Sequence, residues 1–548
     1  MYIIAYAGTE QEDSMAASVA LPVSHEAWRP SHNPWLIALT VTLATFMEVL
    51  DTSIANVALP HIAGSLGASS DESTWVLTSY LVSNAIVLPI SAWLATRVGR
   101  KRFYMVCVAV FATSSFLCGL APSLGMLIFF RVLQGAGGGG LQPSEQAILA
   151  DTFPASKRGM AFAVYGMAVV VAPAIGPTLG GWITDNYSWR WIFYINVPIS
   201  VLSLYLTHRL VEDPPYLKEE KIRVKGMRVD YMGLGLVAVG IGFLQIVLDK
   251  GQEADWFSSH WITLLSILAV GLLVTWVIWE WRHPNPIVEL KLLQNRNFAA
   301  ASFFMFILGI VLYGTTVLIP QFLQLLLGYS AMNSGEALAG GGFIMMLTMP
   351  IAGILVSKGD ARIMMACGFA ATALSLYYMT THISLQMDFR TAAMLRIYQT
   401  AGLAFIFIPS NTLSYVGVPR EKSNQISSMI NFIRNIGGSI GIALIATFIT
   451  RATQQRQSYM AGHLNHGNPA FRSMVEGLTA TLHSQGLSVA DATRQAYGRV
   501  AQLLEQQAAA LAYKDVISVL AVLIACLIPM AFIMKRPAAG AAEAPPMH

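Results

Sequence analysis

The sequence predicts an all-α integral membrane protein of about fourteen transmembrane helices, arranged as two six-helix bundles plus two inserted helices. Three observations lead to this fold class: an apolar composition, long uncharged runs between clusters of charge, and an internal repeat. Residues of the AVILMFWYC set make up 55% of the 548 residues, and charged residues make up only 12%. A soluble domain carries roughly 25% charged residues. The composition therefore places the chain in the membrane class, where an apolar run of about 20 residues spans the hydrocarbon as a helix.

The apolar runs between charges and helix breakers define the predicted spans. The spans are 35–59, 73–95, 103–121, 124–149, 158–182, 191–210, 231–249, 259–281, 298–324, 335–357, 362–381, 391–415, 425–450 and 514–534. The first, fourth and thirteenth of these runs contain charges, and the fourth and thirteenth also contain glycines, so their hydropathy signal is the weakest.

The loops between the spans alternate between rich in Lys and Arg and nearly empty of them. One set holds most of the Lys and Arg residues, such as the run Arg100-Lys101-Arg102, whereas the short loops of the other set hold only Arg190, Lys250 and Arg390. Basic loops face the cytoplasm in membrane proteins. The long loop 451–513 contains five arginines, but long loops are exempt from this charge rule. We therefore expect both termini in the cytoplasm and an even number of spans.

These spans predict five segments along the chain. They are a cytoplasmic tail (1–34), an N-terminal six-helix bundle (35–210), a linker with two extra helices (211–297), a C-terminal six-helix bundle (298–534) and a second cytoplasmic tail (535–548).

The loop 451–513 is the one long connection on the outer side. Apolar residues fall on one helical face at Phe471, Val475, Leu478 and Leu482, and a second such face includes Ala496 and Val500. This periodicity predicts two amphipathic helices that project from the outer face. They form either a solvated cap over the protein or a docking surface for a partner protein.

An internal repeat relates the two bundles. The pattern Arg131-x-x-Gln134-x-x-Gly137 in the fourth span returns as Arg396-x-x-Gln399-x-x-Gly402 in the twelfth. Repeated halves of this kind form a central site near the bilayer midplane and provide alternating access by rocking.

Four motifs carry a resemblance to a known family. The first span ends in Leu50-Asp51-Thr52-Ser53-Ile54-Ala55-Asn56-Val57-Ala58-Leu59-Pro60, and the fourth contains Arg131, Gln134, Gly135 and Gly137. The second-to-third loop keeps Arg97, Gly99, Arg100 and Lys101 of the motif G-x-L-A-D-R-x-G-R-K, but has Ala92 for the Gly and Thr96 for the Asp. The fifth span matches G-x-x-x-G-P-x-x-G-G at Gly176, Pro177, Gly180 and Gly181, with Ala172 for the first Gly.

These motifs resemble those of the major facilitator superfamily, in its fourteen-helix drug:proton antiporter branch and in particular the EmrB-type multidrug exporters. The resemblance implies the major facilitator fold and proton-coupled export of small amphiphilic drugs across a bacterial inner membrane. It implies the proton gradient as energy source without a cofactor, and a possible periplasmic adaptor protein and outer-membrane channel as partners. It assigns gating roles to the motif residues. However, the family's motif has an Asp where this chain has Thr96, so any gating role that depends on the charge of that Asp is in doubt here.

Ionisable residues inside spans are functional candidates because their burial in a bilayer is costly. Asp51 lies two-thirds along an outward span and Arg131 about a third along an inward one, so a rise of about 1.5 Å per residue brings them to a similar depth. We expect the two to pair, and protonation of the carboxylate would then free Arg131 and shift the helix contact. The alternative is a purely structural ion pair.

Glu48 lies three residues before Asp51, on the same helix face. Two carboxylates in a low-dielectric site repel each other, which favours a proton on one of them. Glu48 is therefore a candidate proton carrier or a contact for a cationic substrate. The alternative is a cavity-lining side chain that water hydrates.

Three further charges are candidates for substrate contact. Glu145 lies near the cytoplasmic end of the fourth span, where we expect it to face interfacial water. Arg434 lies near the middle of the thirteenth span without an obvious carboxylate partner, so it would meet carbonyls or an anionic substrate. Arg396 is the same kind of candidate by its symmetry with Arg131.

Drug pockets are apolar and aromatic with few polar groups. The residues of these types at suitable depths are Tyr80, Asn84, Tyr313, Gln321, Tyr398, Phe407 and Asn411. Each of them alone is also compatible with helix packing.

Other functions fit the sequence less well. The same fold could export lipids, fatty acids or siderophores. It could also act as a channel or facilitator, but the buried carboxylates and the antiporter motif argue against a channel or facilitator. We expect no enzyme, because no nucleophile–base pair, phosphate loop or metal-ligand spacing is present. No basic block predicts nucleic-acid binding, and the four cysteines lie in apolar segments at spacings that match neither a disulfide framework nor a metal site.

Overall fold

A computed structural model describes residues 28, 30–225, 229–465 and 467–534 of the chain. The predicted cytoplasmic tail 535–548 and most of the tail 1–34 lie outside these described residues. The fold is built from α-helices. In chain order these are α1 Pro34–Leu66, α2 Ser70–Ser73, α3 Trp75–Val98, α4 Arg100–Leu120, α5 Leu124–Gly138, α6 Leu141–Thr152, α7 Arg158–Asn186, α8 Trp191–Tyr194, α9 Asn196–Leu210, α10 Pro215–Lys225, α11 Tyr231–Lys250, α12 His260–Arg282, α13 Arg296–Gln321, α14 Ala331–Lys358, α15 Ala361–His382, α16 Phe389–Ser414, α17 Ser423–Ala461, α18 Pro469–Ser484 and α19 Val489–Leu527.

The predicted all-α membrane class is confirmed. Within the described part of the chain, fourteen helical segments are long and apolar enough to cross a membrane. Each overlaps one predicted span. The two termini belong to the undescribed parts, so their cytoplasmic location stays a prediction, as does the division into five segments.

Several helices depart from the predicted spans at their ends. The fourth span divides at Gly139 and Gly140, between α5 and α6. The thirteenth span continues as α17 to Ala461, and the fourteenth begins at Val489 rather than at 514. A polar sequence extends these last two helices, so hydropathy alone could not locate their ends.

The helices of each half pack in a repeated pattern. α1 packs along α7 and α9, and α13 packs along α17. The two halves meet where α7 packs on α14 and α3 packs on α17. Gly159 and Gly353 let α7 and α14 approach closely, because a Cβ at Gly353 would lie 2.9 Å from the carbonyl oxygen of Gly159. The inserted helices α11 and α12 pack on each other, and α11 also packs on α3.

The long loop 451–513 forms a helical hairpin. α18 and the first turns of α19 pack together through Phe471, Val475, Leu482, Ala496 and Val500. The two amphipathic helices predicted here are present, although the second is continuous with the last span.

At the opposite end of the bundle, which we call the basic end because it carries the Arg100-Lys101-Arg102 run, polar contacts join the halves. Arg100 forms a buried ion pair with Asp151. The Nε of Arg100 also donates to Asn424 of α17 over 2.7 Å, and the Ser423 hydroxyl donates to Asp151 over 2.9 Å. The halves are therefore held together at this end by a buried polar cluster.

Candidate functional site

Asp51 and Arg131 form the expected pair. The Nη1 of Arg131 lies 2.6 Å from the Oδ2 of Asp51, and the two side chains are 0% and 1% exposed. Gln134 completes a triangle: its amide donates to Asp51 over 2.9 Å, and its carbonyl oxygen accepts from Arg131 over 2.8 Å. The spacing R-x-x-Q therefore places two side chains, one helical turn apart on α5, against the same carboxylate of α1.

Two more contacts fix this pair. Asn196, at the start of α9, donates to the Oδ1 of Asp51 over 2.6 Å and to the hydroxyl of Ser115 over 2.9 Å. The guanidinium of Arg131 lies 4.3 Å from the centre of the Tyr80 ring, and its Nε donates to the carbonyl of Val76. Asp51 thus accepts hydrogen bonds from three different residues on two other helices.

Glu48 has a separate set of partners. Its carboxylate accepts from the Tyr80 hydroxyl at 3.3 Å, from the Asn84 amide at 3.2 Å and from the Gln142 amide at 2.8 Å. Tyr80 and Asn84 therefore contact Glu48 and are themselves buried. No cation lies within ion-pair distance of Glu48 among the described residues.

Gln142 links Glu48 to the other half of the protein. Its carbonyl oxygen accepts from the Nη2 of Arg434 over 2.5 Å, and Arg434 also donates to the hydroxyl of Tyr165 over 3.1 Å. The sequence left carbonyls or an anionic substrate as partners of Arg434, and the side chain of Gln142 provides one such carbonyl. Arg434 reaches a carboxylate of the first half through one amide.

A second polar chain crosses the same interface beside it. Asn431 of α17 donates to Gln146 of α6 over 2.8 Å, and Gln146 donates to Asn411 of α16 over 3.3 Å. The Phe407 ring stacks on Tyr165 at 6.0 Å. Two of the pocket candidates, Phe407 and Asn411, thus lie at the contact between the halves, and Tyr313 lies nearby against Gly438.

The prediction that Glu145 faces interfacial water is wrong. Glu145 is 0% exposed, and its Oε1 accepts from the Thr42 hydroxyl over 2.6 Å. Its Oε2 is buried, and no described residue forms a hydrogen bond with it. The helix break at Gly139–Gly140 is followed by α6, which packs against α1 and α17, so Glu145 faces protein where a uniform span would bring it to the membrane surface.

Two other pocket candidates lie away from the buried centre. Tyr398 is 46% exposed and packs edge-on against Tyr378, which is 43% exposed. Gln321 is exposed at the end of α13. Depth along a span does not fix which way a side chain points, and both residues lie on outward faces of their helices.

The fifth-span motif packs mainly against α1. A Cβ at Gly180 would lie 3.0 Å from Ile54 Cγ2 and 3.3 Å from Ile54 Cα, and Gly176 lies against Ser53. Pro177 lies on the other side, beside Gly335 of α14. Gly181 has open space around it, so it does not take part in the close helix approach that the motif predicts.

The second-to-third loop motif has distinct local roles. Gly99 has φ +103°, which glycine adopts without strain, and it lies between α3 and α4. Arg97 lies 5.3 Å above the ring of Trp93. Arg100 is buried in the cluster at the basic end. Gly135 of the fourth-span motif lies against the backbone of Tyr80, which brings α5 close to α3.

Sequence reasoning missed Asn196, Gln142 and Gln146. Each is an amide within an apolar span, and all three make side-chain contacts with residues of another helix. Such amides are a weaker signal than buried charges, yet in an apolar span they indicate hydrogen bonds to other helices.

The sequence matches the family model of the Major Facilitator Superfamily over residues 41–442. The chain belongs to the major facilitator superfamily. It is 38% identical over 514 residues to the multidrug export protein EmrB of Escherichia coli strain K12, covering 93% of this chain and 97% of that protein. It is 35% identical over 501 residues to the fatty acid resistance protein FarB of Neisseria gonorrhoeae, covering 91% of this chain and 96% of that one.

Solved structures of this superfamily share the fold. The proton:xylose symporter XylE matches with a TM-score of 0.58 at 14% identity, over 92% of this chain and 96% of that one. The family and fold make the chain a multi-pass membrane transporter rather than an enzyme. The resemblance to EmrB-type exporters predicted from the motifs is thereby confirmed.

Proposed function

We propose that this transporter exports small amphiphilic drugs and other toxic compounds across a bacterial inner membrane in exchange for protons. The observation that carries the proposal is the buried cluster of Asp51, Arg131, Gln134 and Asn196. The similarity to multidrug export protein EmrB supports the substrate class.

The cluster suggests how a proton could drive movement. While Asp51 is ionised, it holds Arg131 of α5 and Asn196 of α9 against α1. A proton on Asp51 cancels the charge that these donors stabilise and leaves Arg131 as a buried cation without a counter-ion. The helices then rearrange to restore a partner for Arg131, which couples protonation to a change in access.

Substrates would bind between the halves. Aromatic side chains from both halves line this contact, including Tyr165 and Phe407, and the amides of Gln142 and Asn411 provide a few polar groups. An apolar, aromatic surface with few polar groups suits amphiphilic ligands of varied shape.

Flux in proteoliposomes with an imposed pH gradient tests proton coupling. We expect the wild type to transport a fluorescent amphiphilic dye at a rate that follows the gradient, and Asp51→Asn to lose that dependence. Asp185→Asn is the matched control, because Asp185 is 70% exposed. Gradient-driven transport by Asp51→Asn at the wild-type rate would refute the proposal, and wild-type flux that ignored the gradient would favour a facilitator.

A second candidate is the export of fatty acids or similar anionic lipids. The similarity to the fatty acid resistance protein FarB favours it, as does the buried guanidinium of Arg434 at the contact between the halves. Export of a radiolabelled fatty acid by the same proteoliposomes would distinguish it from drug export alone. Siderophore export is tested in the same way with a labelled siderophore.

We also propose that the hairpin of α18 and α19 binds a periplasmic adaptor protein, which would connect the transporter to an outer-membrane channel. The apolar residues between α18 and α19 pack against each other and are not available to a partner. Met474 and Val489 lie outside this core, are 47% and 60% exposed, and could contact the adaptor. We expect Met474→Glu to abolish copurification of the adaptor without changing the unfolding temperature of the transporter. Unchanged copurification with Met474→Glu and Val489→Glu combined would refute this docking site.

A further inference from the structure

The C-terminal half contains a second copy of the polar triangle around Asp51. The Nη1 of Arg396 donates to the Thr315 hydroxyl over 3.0 Å and to the Gln399 carbonyl oxygen over 2.6 Å. The Gln399 amide also donates to the Thr315 hydroxyl, over 3.1 Å. Arg396 and Gln399 thus repeat the contacts of Arg131 and Gln134, and Thr315 occupies the place of Asp51.

This replacement removes a charge. In the N-terminal half the carboxylate of Asp51 neutralises Arg131, whereas a hydroxyl cannot neutralise Arg396. The Thr315 hydroxyl donates its own proton to the carbonyl of Val311 over 2.7 Å, so its oxygen serves only as a neutral acceptor. No ion pair of the described residues includes Arg396.

Arg396 differs in this respect from the other buried guanidinium groups of the described chain. Arg100 pairs with Asp151 and Arg131 pairs with Asp51. Arg434 reaches Glu48 through the side chain of Gln142. Arg396 is 5% exposed, and its Nε is buried without a hydrogen-bond acceptor among the described residues. Arg100, Arg131 and Arg434 each have one such nitrogen as well, so what distinguishes Arg396 is the missing carboxylate.

A guanidinium does not solve this problem by releasing its proton, because arginine stays charged in proteins. A buried cation without a counter-ion is strongly unfavourable, and neutral oxygens offset only part of the cost. The planar guanidinium presents five donors that match a carboxylate or another small anion. A carboxylate or another small anion would therefore fit this unpaired guanidinium.

We infer that Arg396 is the binding site for a monovalent anionic group, which takes the role that the Asp51 carboxylate has in the other half. The anion would contact the Nε and Nη2 atoms, because Nη1 already donates to Thr315 and Gln399. Nη2 donates to the hydroxyl of Thr316, which is half-buried and so lies closer to an access route than Thr315. The ligand is either the carboxylate of an amphiphilic substrate or an inorganic anion such as a halide.

A binding experiment on the purified full-length protein tests the site directly. The unfolding temperature is measured by tryptophan fluorescence in non-ionic detergent while sodium bromide or sodium formate is titrated at an ionic strength held constant with sodium sulfate. We expect a saturable rise in the wild type. Thr315→Asp supplies an internal carboxylate and Thr315→Asn supplies a neutral side chain of the same shape.

The two variants give opposite expectations. Thr315→Asn should keep the saturable rise, whereas Thr315→Asp should weaken the apparent affinity by about tenfold or more, since an occupied counter-ion site excludes a second anion. Arg396→Gln should abolish the rise. Equal responses of Thr315→Asp and Thr315→Asn, or no saturable rise in the wild type, would overturn the inference.

Transport then identifies the source of the anion, and this arm rests on the proposed export function. Efflux of radiolabelled decanoate and of a cationic dye is compared in proteoliposomes made with bromide or with sulfate. Selective loss of decanoate efflux in Thr315→Asp, but not in Thr315→Asn, assigns the site to a substrate carboxylate. Alternatively, the wild type requires bromide for efflux of both substrates, and Thr315→Asp removes that requirement. This result assigns the site to an inorganic anion. Absence of all wild-type efflux would refute the proposed export function, while the binding result would still decide the anion site.

Discussion

Asp51 depends on more than its salt bridge with Arg131. Its two carboxylate oxygens accept from Arg131, Gln134 and Asn196, which lie on α5 and α9. An ion pair buried in a bilayer is stable only when such extra donors offset its desolvation. The amide of Asn196 is therefore part of the machinery that keeps a charge at this position, although it carries no charge itself.

We predict that Asn196→Val destabilises the transporter. The change removes a donor to a buried carboxylate, and a hydrogen bond to a charged group contributes about 1.5–3 kcal/mol. Thermal unfolding in detergent, followed by tryptophan fluorescence, should show a lower midpoint than in the wild type. Asn186→Val is the control, because the amide of Asn186 is exposed and bonds only within its own helix. Equal midpoints for Asn196→Val and the wild type would contradict the role assigned to Asn196.

At the scale of helices, small residues decide how closely elements approach. Gly180 lies against both the side chain and the backbone of Ile54, so α7 approaches α1 closely. Gly437 does the same in the second half, where it lies against the backbone of Phe306. In each half, glycines on the fifth membrane span therefore pack against the first span: α7 against α1 in the first half, and α17 against α13 in the second.

We predict that Gly180→Leu abolishes transport and reduces the yield of folded protein. A Cβ at this position already lies 3.3 Å from the Cα of Ile54, and a larger side chain would force α1 and α7 apart. Gly181→Leu is the matched control, because no atom lies within 4 Å of a Cβ placed at Gly181. Dye efflux and size-exclusion profiles of the two variants provide the measurement. Similar loss in both would show that the effect does not depend on the close contact between α7 and α1.

The sequence allows the helices to be predicted better than their contacts. Hydropathy locates the spans because each one must bury apolar side chains in lipid. It fails at α19, which begins at Val489 with polar residues, well before the apolar run that starts at 514. It also fails for Glu145, since the partner Thr42 lies on a different helix and no local pattern reveals that contact. The Asp51–Arg131 pair could be predicted because both partners are costly charges at one depth.

At the scale of the whole molecule, the contacts at the basic end hold the two halves in one arrangement. Asn424 of α17 accepts from the Nε of Arg100 over 2.7 Å and donates to the hydroxyl of Thr96 over 3.2 Å. Thr96 stands where the related loop motif has an acidic residue. In this chain the neutral side-chain amide of Asn424 therefore joins the halves at this position. Asp151 is the carboxylate that pairs with Arg100, and Thr96 adds no second one.

We predict that Asn424→Val shifts the transporter away from this closed arrangement. Two hydrogen bonds between the halves are lost, and at about 1 kcal/mol each the open population should rise by about tenfold or more. The measurement is the rate at which a membrane-impermeant maleimide labels Ser91→Cys from the basic side, in a background without native cysteines. Ser91 is 1% exposed, and its hydroxyl lies 3.3 Å from that of Ser428 across the interface.

Ser115→Cys is the control for this labelling, because Ser115 is 0% exposed within the first half and bonds to Phe193 rather than to the second half. Faster labelling at position 91 alone means that the halves separate as bodies, since the interior of the first half stays closed. A parallel rise at both positions would instead mean that the substitution unfolds the protein. An unchanged rate at position 91 would show that the Arg100–Asp151 pair holds the basic end closed without Asn424, and the amide would then have no part in controlling access.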